Sequence, residues 1–283
     1  MPLMPMHTLL HDAQKNHYAI LATNLLNLEM IKGGIAAAEQ CQSPLILQLA
    51  PVQFTTAPLH LVGPMMVAAA QAATVPVAVH LDHGFDPTII QQALDLGFSS
   101  VMIDASMHPY EENIAYTRSV VEQARPYGAT VEAELGHVGE ESLEAHADTK
   151  QRTVGLTEPA LAQSFVETTA CDALAVAIGN AHGLYRVTPN LDIDRLKAIR
   201  SRVSVPLVLH GGSGTSAADF SASIASGITK INIASAVHKA YLDALKTTDN
   251  YGLHCQSLES AVQSIIEAHM VRFGSVGKAA NFS

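Results

Sequence analysis

The sequence predicts an α/β fold, a (β/α)8 TIM barrel, and three observations carry that expectation. Eight short β-rich apolar runs recur at even spacing along 283 residues. Helix-like stretches with their own start signals separate them. No low-complexity linker interrupts the chain, so strand and helix alternate through a single domain over 1–283, the pattern of a parallel sheet wrapped by helices.

In order, the runs are 18–23 (YAILAT), 44–49 (PLILQL), 75–81 (VPVAVHL), 100–104 (SVMID), 130–134 (TVEAE), 174–178 (LAVAI), 205–210 (VPLVLH) and 229–233 (TKINI). Nearly all lack the clean alternation of a half-solvated sheet, as strands covered on both faces do. Helix starts stand between them, such as Asp86-Pro87 before 89–94 and Thr157-Glu158-Pro159 before 160–165. A doubly wound open sheet is the alternative, but it rarely needs eight evenly spaced strands. The one long polar connection, 139–157, exceeds an ordinary βα loop and reads as a mobile lid. Helices complete the C-terminal segment.

Composition narrows the partners. A net charge of −10 leaves no excess of Lys and Arg to neutralise nucleic-acid phosphates or an anionic membrane. One small phosphorylated ligand needs only a local cluster of donors. No apolar run approaches the ~18 residues of a membrane span, and the first residues carry no secretory pattern. Three widely spaced cysteines suit reduced thiols in a cytoplasm. The 14 histidines are the unusual count, and their positions matter more than their number.

In such a barrel the active site lies at the C-terminal ends of the strands. Strand three ends in Asp82-His83, strand four in Asp104, and strand five carries Glu132 and Glu134 on one side. Strand six runs into His182, and strand seven ends at His210. One strand-end histidine is more often a hydrogen-bonded core residue than a ligand. Three of them at one rim, His83, His182 and His210, make a zinc site with an open position for substrate. His80, inside strand three, reads instead as a buried hydrogen-bonder. The glycine-rich end 211–214 (GGSG), with Asn232 and Ser235 after strand eight, falls where barrels bind phosphate through backbone N–H groups.

Together, HLDH at 80–83, VEAELG at 131–136, AVAIGNAHG at 175–183, VPLVLHGGS at 205–213 and KINIAS at 230–235 resemble the class II, zinc-dependent fructose- and tagatose-bisphosphate aldolases, nearest the tagatose branch. The motifs span most of the chain in the family's order, and Asn24 falls at the family's strand-one end. The resemblance implies Zn2+ on His83, His182 and His210, with Glu134 and Asp104 as alternative ligands or supports of the ligands. It implies Asp82 as the acid/base at the aldehyde carbon. It also implies that Gly183, Gly211, Ser213, Asn232 and Ser235 hold the phosphate of a dihydroxyacetone-phosphate unit, with Na+ or K+ nearby. A homo-oligomer, dimer or tetramer, is usual in the family, and a separate non-catalytic subunit supports some members.

Three departures stand out. The loop base is Glu140 or Glu141, because the chain reads HVGEE over 137–141 where members commonly carry Gly-Gly before a single acid. Gln48-Leu49-Ala50 lacks the small hydroxyl residue that many members have there. Between Thr247 and Met270 there is no Lys or Arg, although the family's distal-phosphate arginines come from such a segment. These departures point to a ketose 1-phosphate rather than a 1,6-bisphosphate, unless Arg152, Arg186 or a neighbouring subunit supplies the cation. Lys230 is the one candidate for a Schiff-base mechanism, and three histidines argue against it. A zinc hydrolase and a silent aldolase-like subunit are the remaining alternatives.

Overall fold

The structure, a computed structural model, describes residues 3–139, 155–183, 189–245 and 250–282. Eight parallel strands close into a barrel in sequence order. The strands are β1 (Ile20–Asn24), β2 (Leu45–Leu49), β3 (Val77–Gly84), β4 (Ser100–Ile103), β5 (Thr130–Leu135), β6 (Ala173–Val176), β7 (Leu207–Leu209) and β8 (Ile228–Asn232), and β8 pairs with β1. Each coincides with one of the runs read from the sequence.

The helices are α1 (Met6–Asn16), α2 (Leu28–Cys41), α3 (Leu59–Ala72), α4 (Pro87–Asp95), α5 (Tyr110–Ala124), α6 (Pro159–Thr169), α7 (Ile193–Arg200), α8 (Ala217–Ala225), α9 (Ser235–Ala244) and α10 (Tyr251–Phe273). The start signal before α4 works as read: Asp86 accepts from Thr88 N–H, and Pro87 takes the first helical position. At α6 Pro159 again opens the helix, but Thr157 does not cap it. Its buried hydroxyl donates to Leu135 O and accepts from Ala177 N–H, tying the ends of β5 and β6 together. The segment read as a lid lies, from 140 to 154, outside the described residues.

Side chains two apart on a strand share a face, and this parity sorts the barrel. The faces toward the helices carry Leu21, Leu45, Leu47, Val79, Leu81, Val101, Val131 and Leu209, all in the larger apolar cluster. Deep in the interior, Ile20, Ala22, Ile46, Ala78, Met102, Ala173, Ala175 and Val208 pack against Met6, Leu9, Leu10 and Ala13 of α1, which closes that end. Toward the C-terminal ends the same interior parity turns polar. Asn24, Gln48, His80, Asp82, Glu132, Glu134, His210, Lys230 and Asn232 are all buried there. Burying so many polar groups costs free energy unless each is paired, so this layer exists for a reason other than stability.

One strand breaks the parity. The pairing of β3 with β4 shifts between Leu81 and Gly84, and His83 takes a left-handed backbone with φ 48°. In a regular strand Asp82 and His83 would face opposite ways. The bulge lets both neighbours line the barrel mouth, at a backbone cost of about 1–3 kcal/mol.

Candidate active site

His83, His182 and His210 offer ring nitrogens that all lie within 4.8 Å of one another. Two of the rings are oriented from behind by carboxylates. His83 Nδ1 lies 2.7 Å from Asp104 Oδ2, and His210 Nε2 lies 2.8 Å from Glu132 Oε1. Each carboxylate takes the ring proton nearest it, so His83 Nε2 and His210 Nδ1 face each other at 2.8 Å. Two lone pairs cannot be aimed at each other so closely without a cation between them. A proton on His83 would serve. Burial opposes it, but the Asp82 charge and the Asp104 hydrogen bond outweigh burial and lift the His83 pKa to about 9. A divalent ion taking His182 as its third ligand would serve equally, and this donor set fits zinc.

Burial holds His210 well below the ordinary imidazole range, and burial with the His83 charge brings His182 to about 4. Both are therefore neutral and able to ligate. His83, Asp104 and Glu134 form a second group with metal-binding spacing. Glu134 Oε1 accepts from Val138 N–H at 3.0 Å, while its buried Oε2 has no protein partner among the described residues. Burial, reinforced by the Asp104 charge, lifts its carboxyl to about 8.

Asp82 sits in a cage of amides. Asn24 Nδ2 and Gln48 Nε2 donate to Oδ2 at 3.1 and 3.2 Å, and Asn232 Nδ2 donates to Oδ1 at 3.1 Å. Burial disfavours its charge, but the charges of His83 and Lys230 together with the Asn24 bond bring the carboxyl to about 2. It is ionised at neutral pH and ready to accept a proton.

Beneath the histidines, Lys230 and Glu132 form a fully buried ion pair at 2.9 Å, and Lys230 does not line the cavity. The lysine holds the carboxylate that orients His210. Lys230→Ala is expected to cost about 3–5 kcal/mol of stability, because it strands a buried charge. Urea unfolding checks this, and a loss below about 1 kcal/mol would contradict it.

These groups open into a cavity of about 550 Å³. Its β6–β8 side is lined by Gly183, Gly211, Ser213, Asn232 and Ser235, and α9 begins there, presenting the N–H end of a helix. A side chain at Gly211 would meet Ala181 O at 1.9 Å, and its φ is +64°, so only glycine fits. Ser213 Oγ accepts from Ala236 N–H at 3.2 Å. The structure thus brings together every described residue singled out for chemistry, although Asn232 also reaches Asp82. Glu140 and Glu141 lie outside the described residues, as do Arg152 and Arg186. His80 makes the buried bond read for it, 2.6 Å from Ser100 Oγ.

Sequence reasoning missed Gln48, Gln53 and His238. Gln48 left a signal, a polar residue at interior parity in an otherwise apolar strand. Gln53 and His238, whose Nε2 donates to Asn24 O at 2.8 Å, left none. No helix among the described residues is long and apolar enough to cross a membrane.

Residues 4–278 match the family model described as fructose-bisphosphate aldolase class-II. The chain belongs to the class II fructose-bisphosphate aldolase family, whose members are carbon–carbon lyases that use zinc as a rule. It is 44% identical over 271 residues to the Escherichia coli K12 protein YdjI, covering 95% of this chain and 96% of that one. The crystal structure of the YdjI aldolase superposes with a TM-score of 0.88 at 39% identity, covering 98% of this chain and 99% of the other. A candidate fructose-1,6-bisphosphate aldolase from Coccidioides immitis gives 0.87 at 34% identity, covering 97% of each chain. The Campylobacter jejuni fructose-bisphosphate aldolase shares the fold, with a TM-score of 0.79 at 22% identity over 98% of this chain and 97% of that one.

Proposed function

We propose that this enzyme cleaves a ketose 1-phosphate, reversibly, to dihydroxyacetone phosphate and an uncharged aldehyde. One observation supports the choice of a single phosphate: no Lys or Arg lines the cavity among the described residues. A second phosphate would have to lose water without gaining a cation, forgoing charge-assisted bonds of about 1.5–3 kcal/mol each.

The roles combine the resemblance to the family with the positions of the described residues. His83, His182 and His210 would hold Zn2+, with Asp104 and Glu132 behind two of the rings. Bound there, the ion supplies positive charge where carbon–carbon cleavage leaves negative charge beside the ketone carbonyl. Gly183, Gly211, Ser213, Asn232 and Ser235 anchor the phosphate, with Na+ or K+ beside it as the family often has. Asp82 takes the proton of the scissile alcohol as the bond to the neighbouring carbon breaks, and that carbon keeps the electron pair as an enediolate. Glu140 or Glu141 delivers a proton to the carbon, completing the triose phosphate, and removes it in the condensation direction. Asn24, Gln48 and Asn232 keep Asp82 aimed at the alcohol throughout.

The test is coupled detection of dihydroxyacetone phosphate from a panel of ketose 1-phosphates and 1,6-bisphosphates. Release from monophosphates, with bisphosphates at least roughly tenfold poorer in kcat/KM, is expected from the lost charge-assisted contacts. Efficient bisphosphate cleavage would overturn the single-phosphate reading and leave the aldolase reading standing.

A further inference from the structure

Once the metal and phosphate groups have taken their parts of the rim, the β1–β3 side is left open for the aldehyde. The histidines come from the ends of β3, β6 and β7, and the phosphate cradle from the ends of β6, β7 and β8. On the β1–β3 side the lining is Asn24 at the end of β1, Ala50 to Gln53 after β2, and Phe85 after β3, while His137 and Val138 after β5 and Ala234 and His238 near the start of α9 complete the cavity elsewhere. Val52 is 84% exposed and Phe85 66% exposed, so the outer part of the β1–β3 side is apolar. Ala50 offers a methyl group where a hydroxyl could have stood.

Gln53 is the exception. It ends a short 3-10 turn, Pro51–Gln53, that folds back toward the strand ends. Its Oε1 accepts from Ala50 N–H at 3.0 Å and from Asn24 Nδ2 at 3.2 Å. A backbone N–H can only donate, so it fixes which end of the amide is oxygen. The Nε2 group is thereby left pointing away from both, with no protein acceptor among the described residues. It is a pre-oriented, neutral donor at the edge of the cavity, one hydrogen bond from Asn24 and two from Asp82.

We infer that Gln53 is a specificity residue: its Nε2 binds an uncharged oxygen, a hydroxyl or carbonyl, on the aldehyde portion of the substrate. A neutral amide between apolar walls recognises such an oxygen and gives a phosphate dianion no charge to pair with. The inference rests on the aldolase reading and adds to it which side chain reads the far end of the ketose.

Gln53→Glu tests it without dismantling the turn. The carboxylate keeps both accepted bonds, from Ala50 N–H and Asn24 Nδ2, while it replaces the donor with an acceptor and adds one negative charge. Two readouts separate the possibilities. One is KM for glyceraldehyde in condensation with dihydroxyacetone phosphate. The other is hydrogen exchange of dihydroxyacetone phosphate in deuterated water, which needs no aldehyde. The KM should rise roughly five- to tenfold, more than exchange slows. Gln53→Arg should shift preference from glyceraldehyde toward glyceraldehyde 3-phosphate by roughly tenfold or more.

An unchanged KM, or an exchange rate that falls as much as KM rises, would overturn the inference, since the amide would then act only through Asn24 and Asp82. Wild-type protein that exchanges no hydrogen would overturn the aldolase reading and the subsite with it. Exchange with an unmoved KM would sink the subsite alone.

Discussion

Asp82→Ala is expected to lower kcat/KM for ketose 1-phosphate cleavage by roughly 10²–10⁴-fold, the range for losing a positioned proton acceptor. Metal content should stay at the wild-type level. The two expectations are separable because Asp82 and His83 are neighbours with different tasks. The bulge in β3 turns His83 toward the other histidines, while Asp82 beside it is held by Asn24, Gln48 and Asn232. Removing the carboxylate takes away the acceptor and leaves the His83–Asp104 contact in place. Asp82→Asn offers a control of nearly the same shape, and its activity should fall comparably. Activity within tenfold of wild type in both variants would remove Asp82 from the role proposed for it. Metal loss in step with activity would make it a ligand or a support for one.

The second large effect concerns the metal. Zinc measured by elemental analysis after dialysis should fall from one per chain to near zero in His83→Ala and His210→Ala. Each of these rings supplies a nitrogen to the cluster, and each is already oriented by a carboxylate. Loss of a ligand leaves too few donors for the tetrahedral set that zinc prefers. Asp104→Asn should weaken zinc binding by a smaller factor, roughly 10–100-fold, because it removes only the group that orients His83. Unchanged stoichiometry in the histidine variants would rule out this ligand set. It would move attention to the neighbouring group of His83, Asp104 and Glu134.

Much of this site is legible without coordinates because a parallel barrel puts its chemistry at one end of every strand. Reading the residues at and just beyond the end of each apolar run is enough to single out His83, His210, Asp104 and Asn232. The glycine-rich end after strand seven, with Asn232 and Ser235 at and just beyond the end of strand eight, picks out the side read for phosphate in the same way. What stays hidden depends on pairing across the barrel. Lys230 and Glu132 are 98 residues apart in the chain, and nothing local to either predicts that one neutralises the other beneath His210. Asp82 and His83 present a related problem. Their sequence suggests a shared site, yet a regular strand would send them to opposite faces, and only the register shift against β4 resolves the conflict. Asn232 read as a phosphate ligand, and its bond to Asp82 follows from the closure of β8 on β1. Gln53 acquires its orientation from a turn whose geometry its sequence does not declare.

The composition of the barrel interior changes along its axis. At the α1 end it is apolar and closed by that helix. Toward the C-terminal ends buried polar groups form a connected set, running from Ser100 and His80 past Glu132 and Lys230 to His210 and His83. Such a layer has fixed geometry because each member has few alternative partners in a low-dielectric interior. That rigidity is what a metal site and a proton acceptor need from their surroundings.

The most direct test of metal-dependent aldol cleavage is release of dihydroxyacetone phosphate from a ketose 1-phosphate by protein stripped with a chelator, followed by zinc replacement. Release should fall to background in the stripped protein and return when Zn2+ is added back. Undiminished release without metal, blocked instead by borohydride trapping of the substrate on a lysine, would contradict the role given to His83, His182 and His210.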